Sequence, residues 1–171
     1  MSSLDPDIDR QITALWADFD SHPSGVFRAR MKAVLQQLPS DLPVVLYERA
    51  SVHDALDEPE KAVELYRQAL AVGLEGHRRR CAVIQLASTL RNLGLPEESV
   101  ALLDNERDRT GLDARSAELG DAVDAFLALS LVDAGREREA VRVALTALAE
   151  HLPEYRRSVA HYAQELSEWQ Q

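Results

Sequence analysis

Three times along the chain the same small or packing residues return at the same offsets, and no other feature narrows the choice of fold as much. Ala50, Ala62 and Ala69 stand at relative positions 0, +12 and +19. Ala87, Ser99 and Glu106 repeat those offsets, and so do Ala128, Ala140 and Ala147. At +7 comes Asp57, Gly94 or Gly135, and at +16 comes Tyr66, Leu103 or Ala144 as a packing residue. Where the two helices of a hairpin cross, the residues at 0 and +12 face each other, and only Ala or Ser lets the backbones approach closely. Gly or Asp at +7 accepts the left-handed conformation that ends a helix. Glu106 replaces a small residue, which leaves the closing contact of the second copy in question.

Apolar residues recur at helical spacing almost everywhere, and no alternating stretch bounded by turn residues reads as a strand. Turn residues break the pattern at 39–43, 57–59, 73–76, 94–96, 110–113, 135 and 151–153. About nine helices result, and connections this short make neighbours antiparallel. The first opens on Asp5 as N-cap with Pro6 behind it and carries Ile8, Ile12, Leu15, Trp16 and Phe19 on one stripe. The second carries Phe27, Met31, Val34, Leu35 and Leu38, and its charges, Arg28, Arg30 and Lys32, are all positive. Opposite the acidic first helix, they are expected to pair side by side, each exposed pair contributing about 0–1 kcal/mol.

Composition bounds the function class. In 171 residues, 46% are apolar but only three Phe, four Tyr and two Trp appear, which favours helices packed on Ala and Leu. A chain this long needs neither disulfide nor metal to hold its core. The formal charge of −10 opposes a phosphate backbone, so nucleic acid is not an expected partner. No apolar run approaches the roughly 20 residues that span a bilayer. With Cys81 alone and no apolar leader in MSSLDPDIDR, the expected location is cytoplasmic.

These residues carry a resemblance to the tetratricopeptide-repeat (TPR) family, whose motif puts small residues at its eighth, twentieth and twenty-seventh positions and an aromatic at the twenty-fourth. Residues 44–70 are the best copy, with Tyr66 as the aromatic, and IQLASTLRNLG from Ile84 to Gly94 resembles a short bacterial subgroup. The resemblance covers roughly residues 43–150. Ala50, Ala87 and Ala128 are 37 and 41 residues apart where the family has 34, which suggests helices longer than the family norm. It implies an all-α, right-handed solenoid of antiparallel helical hairpins in a single domain spanning 1–171. Residues 1–40 would form a divergent hairpin, 43–150 three TPR-like hairpins and 153–171 a capping helix.

In that family the first helix of each hairpin lines a concave groove. The partner-contacting positions fall on Val44, Tyr47, Ser51 and Asp54, then on Cys81, Ile84, Ser88, Arg91 and Asn92. In the third copy they fall on Ala122, Ala125, Leu129, Val132 and Asp133. A groove of this kind is mixed and partly apolar, with Arg91 as one cationic point. Family members that clamp a carboxylate terminus use Lys, Asn and Arg at such positions, where this chain has Tyr47, Ser51, Ser88 and Ala125. A hydrophobic or helical ligand fits better.

Other clusters read as structure. His77, Arg78, Arg79 and Arg80 open a helix, where the macrodipole disfavours cations, so nearby carboxylates should offset them. His22, His53, His77, His151 and His161 show no metal-ligand spacing, and Cys81 reads as a small buried residue, although His53 could approach it in the fold. The last helix places Tyr155, Val159, Tyr162, Leu166 and Trp169 on one stripe that should pack on the third hairpin. No phosphate loop, dinucleotide fingerprint or nucleophile elbow occurs. The expected function is therefore a non-enzymatic protein-interaction scaffold without cofactor or metal, which binds a peptide or helix of a cytoplasmic partner. A self-associating homodimer is the alternative. A small-molecule or catalytic pocket would need a deep cavity that the sequence does not announce.

Overall fold

A computed structural model describes residues 4–166. Its α-helices are α1 (Pro6–Ala17), α2 (Ser24–Leu35), α3 (Pro43–Ala55), α4 (Pro59–Ala71), α5 (Gly76–Asn92), α6 (Pro96–Arg107), α7 (Ala114–Ala117), α8 (Gly120–Asp133), α9 (Glu137–His151) and α10 (Arg156–Glu165). Among the described residues there is no strand, and nine of these helices have ten residues or more; α7 is a single turn. The chain divides into two compact units between Leu74 and Glu75.

In the first unit, Asp5 caps α1 by accepting from the Asp7 N–H at 2.8 Å, and Pro6 follows it. The expected stripe of α1 packs with α2 and α3 into one core built around Ile12, Phe27, Met31, Leu35, Val45 and Val52. Phe19 meets Phe27 edge-on at 4.8 Å between ring centroids. Burying side chains such as Phe27 and Met31 stabilises by roughly 1.5–3 kcal/mol each. Trp16 joins α1 to α3 by donating its indole N–H to Glu48, 2.8 Å away. Glu48 is buried, and a buried carboxylate needs such donors.

The expected pairing of charges across α1 and α2 takes another form. Arg10 pairs with Asp7 inside α1, and Arg28 of α2 reaches Glu58, the residue that precedes α4, at 3.1 Å. In the α3–α4 hairpin, Ala50, Ala62 and Ala69 are fully buried, as the repeat requires. Asp57 has a φ of 59°, matching Gly94 at 79° and Gly135 at 71° at the same place in the other hairpins.

The second unit holds the hairpins α5–α6 and α8–α9, with α10 packed on α9. Ala87, Val100, Leu103, Val123, Leu127, Leu131, Ala140 and Val143 form its core. Ser99, at the small +12 position, meets Ser130 of α8 with their oxygens 2.7 Å apart. Ser130 in turn donates to the Phe126 carbonyl at 2.9 Å, so both buried hydroxyls are satisfied.

The long spacings have two different causes. The first lies in α5, which has 17 residues where α3 has 13 and begins with a turn carrying His77, Arg78 and Arg79. The second lies in the connection between α6 and α8, where α7 is inserted, while α8 itself has only 14 residues. Ala144, expected to pack at +16, is exposed; Val143 beside it takes the buried place, because α9 presents the adjacent residue to the core. Tyr155 and Tyr162 are 76% and 62% exposed, so the stripe expected on the last helix does not pack as a whole; the buried residue of α10 is Ala163, beside that stripe. Trp169 lies outside the described residues.

Candidate functional site

The expected groove positions of α3 are largely occupied by their own hairpin. Tyr66 of α4, fully buried, has its hydroxyl 3.3 Å from both Ser51 Oγ and Asp54 Oδ2. Its ring lies 6.2 Å from that of Tyr47. Burial pushes the Tyr66 phenol well above its ordinary value, so it stays a neutral donor. Ser51 is buried and serves this knot instead of a partner, which corrects its placement in the groove. Tyr47, Asp54 and Val44 remain half-buried.

On α5 a second correction is needed. Ile84 belongs to the core of the second unit, because α5 is turned so that its Ile84 side packs among Leu127, Leu131 and their neighbours. Cys81, Ser88 and Arg91 are half-buried and Asn92 is exposed. Arg91 donates from Nη1 to Asp133 of α8 at 2.8 Å, so two expected groove positions pair with each other. The one cationic point of the groove is thereby neutralised.

Across from them, α8 presents Ala125, Leu129 and Val132, one face of a helix at i, i+4 and i+7. Leu129 is 47% exposed and Val132 49%, and Ala125 is exposed as well. Ala122, one turn earlier, is half-buried against the core. Because α5 and α8 pack together and Arg91 bridges to Asp133, this apolar row and the polar residues of α5 belong to neighbouring helices of one unit.

Gln85 is a residue that reading by motif passes over. It lies on α5 between Cys81 and Ser88, and its side-chain Oε1 is buried with no hydrogen-bond partner. The only signal for it is its helical spacing of four residues from Cys81 and three from Ser88.

The basic run at the start of α5 turns inward. Arg79 pairs with Glu106, and Arg80 Nη1 stands 3.7 Å from the other Glu106 oxygen. One buried carboxylate, Glu106, thus meets two cations of the run. Cys81 has His77, one turn before it, as its neighbour, with Sγ 3.6 Å from Nδ1. Burial, aided by Arg115, lowers the His77 pKa and favours the neutral ring. His53 is engaged with Glu58.

Among the described residues, no three His, Cys, Asp or Glu side chains gather where a metal could be held, and no helix is long and apolar enough to cross a membrane. What the α5–α8 face offers chemically is apolar area bordered by amide, hydroxyl and neutralised charge. No curated protein and no solved structure matches the chain. A family model described as tetratrico peptide repeat matches residues 43–166, well over half of the chain and including the last helix, and the chain belongs to that family.

Proposed function

We propose that this chain is a non-enzymatic scaffold that binds a polypeptide partner in the cytoplasm, and that the α5–α8 face of the second unit carries the contact. Members of the family typically act as protein-interaction scaffolds, and this supports the general reading. The observation that carries the specific one is the exposed row Ala125, Leu129 and Val132. An apolar row at helical spacing suits the apolar side of a peptide or helix, whose anchors recur at the same spacing. Gln85, Ser88 and Asn92 border it and supply hydrogen-bonding groups for orientation.

Self-association is the second reading, favoured by a separate observation. On α9, Val141 is 48% exposed and Leu148 50%, with exposed Ala144 between them, which makes an apolar stripe at i, i+3 and i+7. Light scattering of wild type, of Leu129→Glu with Val132→Glu, and of Val141→Glu with Leu148→Glu separates the two. A monomer in all three, with partner capture lost only in the first double variant, supports the α8 row. A wild-type dimer dissolved by the α9 substitutions would make the second reading the function.

A further inference from the structure

The first unit contains a cleft of about 570 Å³ between α2 and α3, apart from the row Val44, Tyr47, Ser51 and Asp54. Met31 and Leu35 on one side and Val45 and Val52 on the other make its floor apolar. Lys32 rises from the α2 wall and Arg49 from the α3 wall, both exposed. No Asp or Glu lines the cleft, although the chain holds 29 acidic residues against 19 Lys and Arg. The composition of the lining is thus opposite to that of the chain.

Two of the other lining residues are already engaged. Arg28 and His53 both meet Glu58, leaving Lys32 and Arg49 as the lining cations without an ion pair or hydrogen bond to the described residues. Two exposed cations with no carboxylate among the lining residues border an apolar floor, an arrangement that suits an anionic head group on an apolar body. The volume lies within the range of about 300–1,000 Å³ that holds small molecules.

We infer that the α2–α3 cleft binds an amphiphilic carboxylate of small-molecule size, its apolar body on the Met31, Leu35, Val45 and Val52 floor and its carboxylate between Lys32 and Arg49. Charge-assisted hydrogen bonds to both cations fix the head group, and the floor takes the chain. Gln36 and Ser40 also line the cleft and add hydrogen-bonding groups to it.

Decanoate is the probe, titrated calorimetrically into the full chain beside decanol and decyltrimethylammonium. One decanoate is expected per chain, saturably, with decanol weaker by about tenfold or more and the cation not bound. Lys32→Glu with Arg49→Glu, both at exposed sites, should lower decanoate affinity by the same factor with circular dichroism unchanged. Ser40→Trp, which keeps both charges and fills the cleft, should also abolish binding. The inference is overturned by the absence of saturable decanoate binding, by equal binding of decanol, or by binding that both variants retain. An acidic helical peptide that binds where decanoate does not, or a wild-type dimer that the charge variant dissociates, would assign the cleft to another occupant and overturn it equally.

Discussion

Glu106 of α6 and Arg80 of α5 face each other at 3.7 Å with both side chains almost wholly buried, at 1% and 5% exposure. The family motif has a small residue where Glu106 stands; Arg79, on the added turn at the start of α5, and Arg80, just after it, both meet its carboxylate. The acidic side chain inside the hairpin thus has one cation from the added turn and one from the body of α5. Removing one partner of a buried pair strands the other charge, which costs more than the pair contributes.

Glu106→Ala should lower stability by about 3 kcal/mol or more, because Arg80 is left buried without its carboxylate. Adding Arg80→Met to that variant should restore at least half of the loss. Urea unfolding followed by circular dichroism reads both. A Glu106→Ala protein as stable as wild type would mean that the pair contributes nothing to the hairpin.

Asp57 holds a left-handed φ of 59°, where its counterparts in the other hairpins are glycine. Asp57→Gly should stabilise by about 0.5–1 kcal/mol by relieving the strain of a side chain in that region. Gly94→Ala should cost about 1–2 kcal/mol, and the penalty is backbone alone, since nothing lies within 4 Å of the added carbon. Thermal unfolding of the two variants gives the signs, and opposite signs are expected.

Arg28 and His53 hold the Glu58 carboxyl down to about 2, below its ordinary 4.5. A carboxyl depressed in the folded state stabilises above its unfolded pKa and loses that contribution as pH falls through the folded value. The advantage of wild type over Glu58→Gln should therefore be complete at pH 6 and shrink between about pH 4.5 and pH 2. Chemical denaturation at pH 6, 4 and 3 checks this, and an advantage that grows on acidification would refute the pairing.

Tyr66→Phe removes the hydroxyl shared by Ser51 and Asp54 and should cost about 1 kcal/mol, whereas Tyr66→Ala opens a cavity and should cost about 3–5 kcal/mol. Equal losses for the two would show that the hydroxyl is not used. Denaturant midpoints at neutral pH decide it.

What the chain reveals by itself follows from how local each feature is. The turns at Asp57, Gly94 and Gly135 and the cap at Asp5 depend on a few adjacent residues and are legible in the sequence. So are Ala50, Ala62 and Ala69, since a crossing of helices admits nothing larger. Which helix face stays open is another matter. Ser51 and Ile84 occupy groove positions by their place in the motif, yet Ser51 is buried beside the Tyr66 hydroxyl and Ile84 lies in the core of the second unit. The partners Arg91 and Asp133 are 42 residues apart, and no local pattern joins them. Glu106 shows in the sequence as a departure from the repeat, but its compensation 27 residues away appears only when α5 is seen against α6.

The central claim is that the α8 row carries partner binding, and the most direct test is the affinity of a captured partner for wild type and for Leu129→Glu with Val132→Glu. Calorimetry with both purified proteins should show a loss of about 30-fold or more, corresponding to roughly 2 kcal/mol, when these two apolar anchors are replaced by carboxylates in a variant with an unchanged circular dichroism spectrum. Equal affinity of the folded variant and wild type would contradict the account and move the contact to another face.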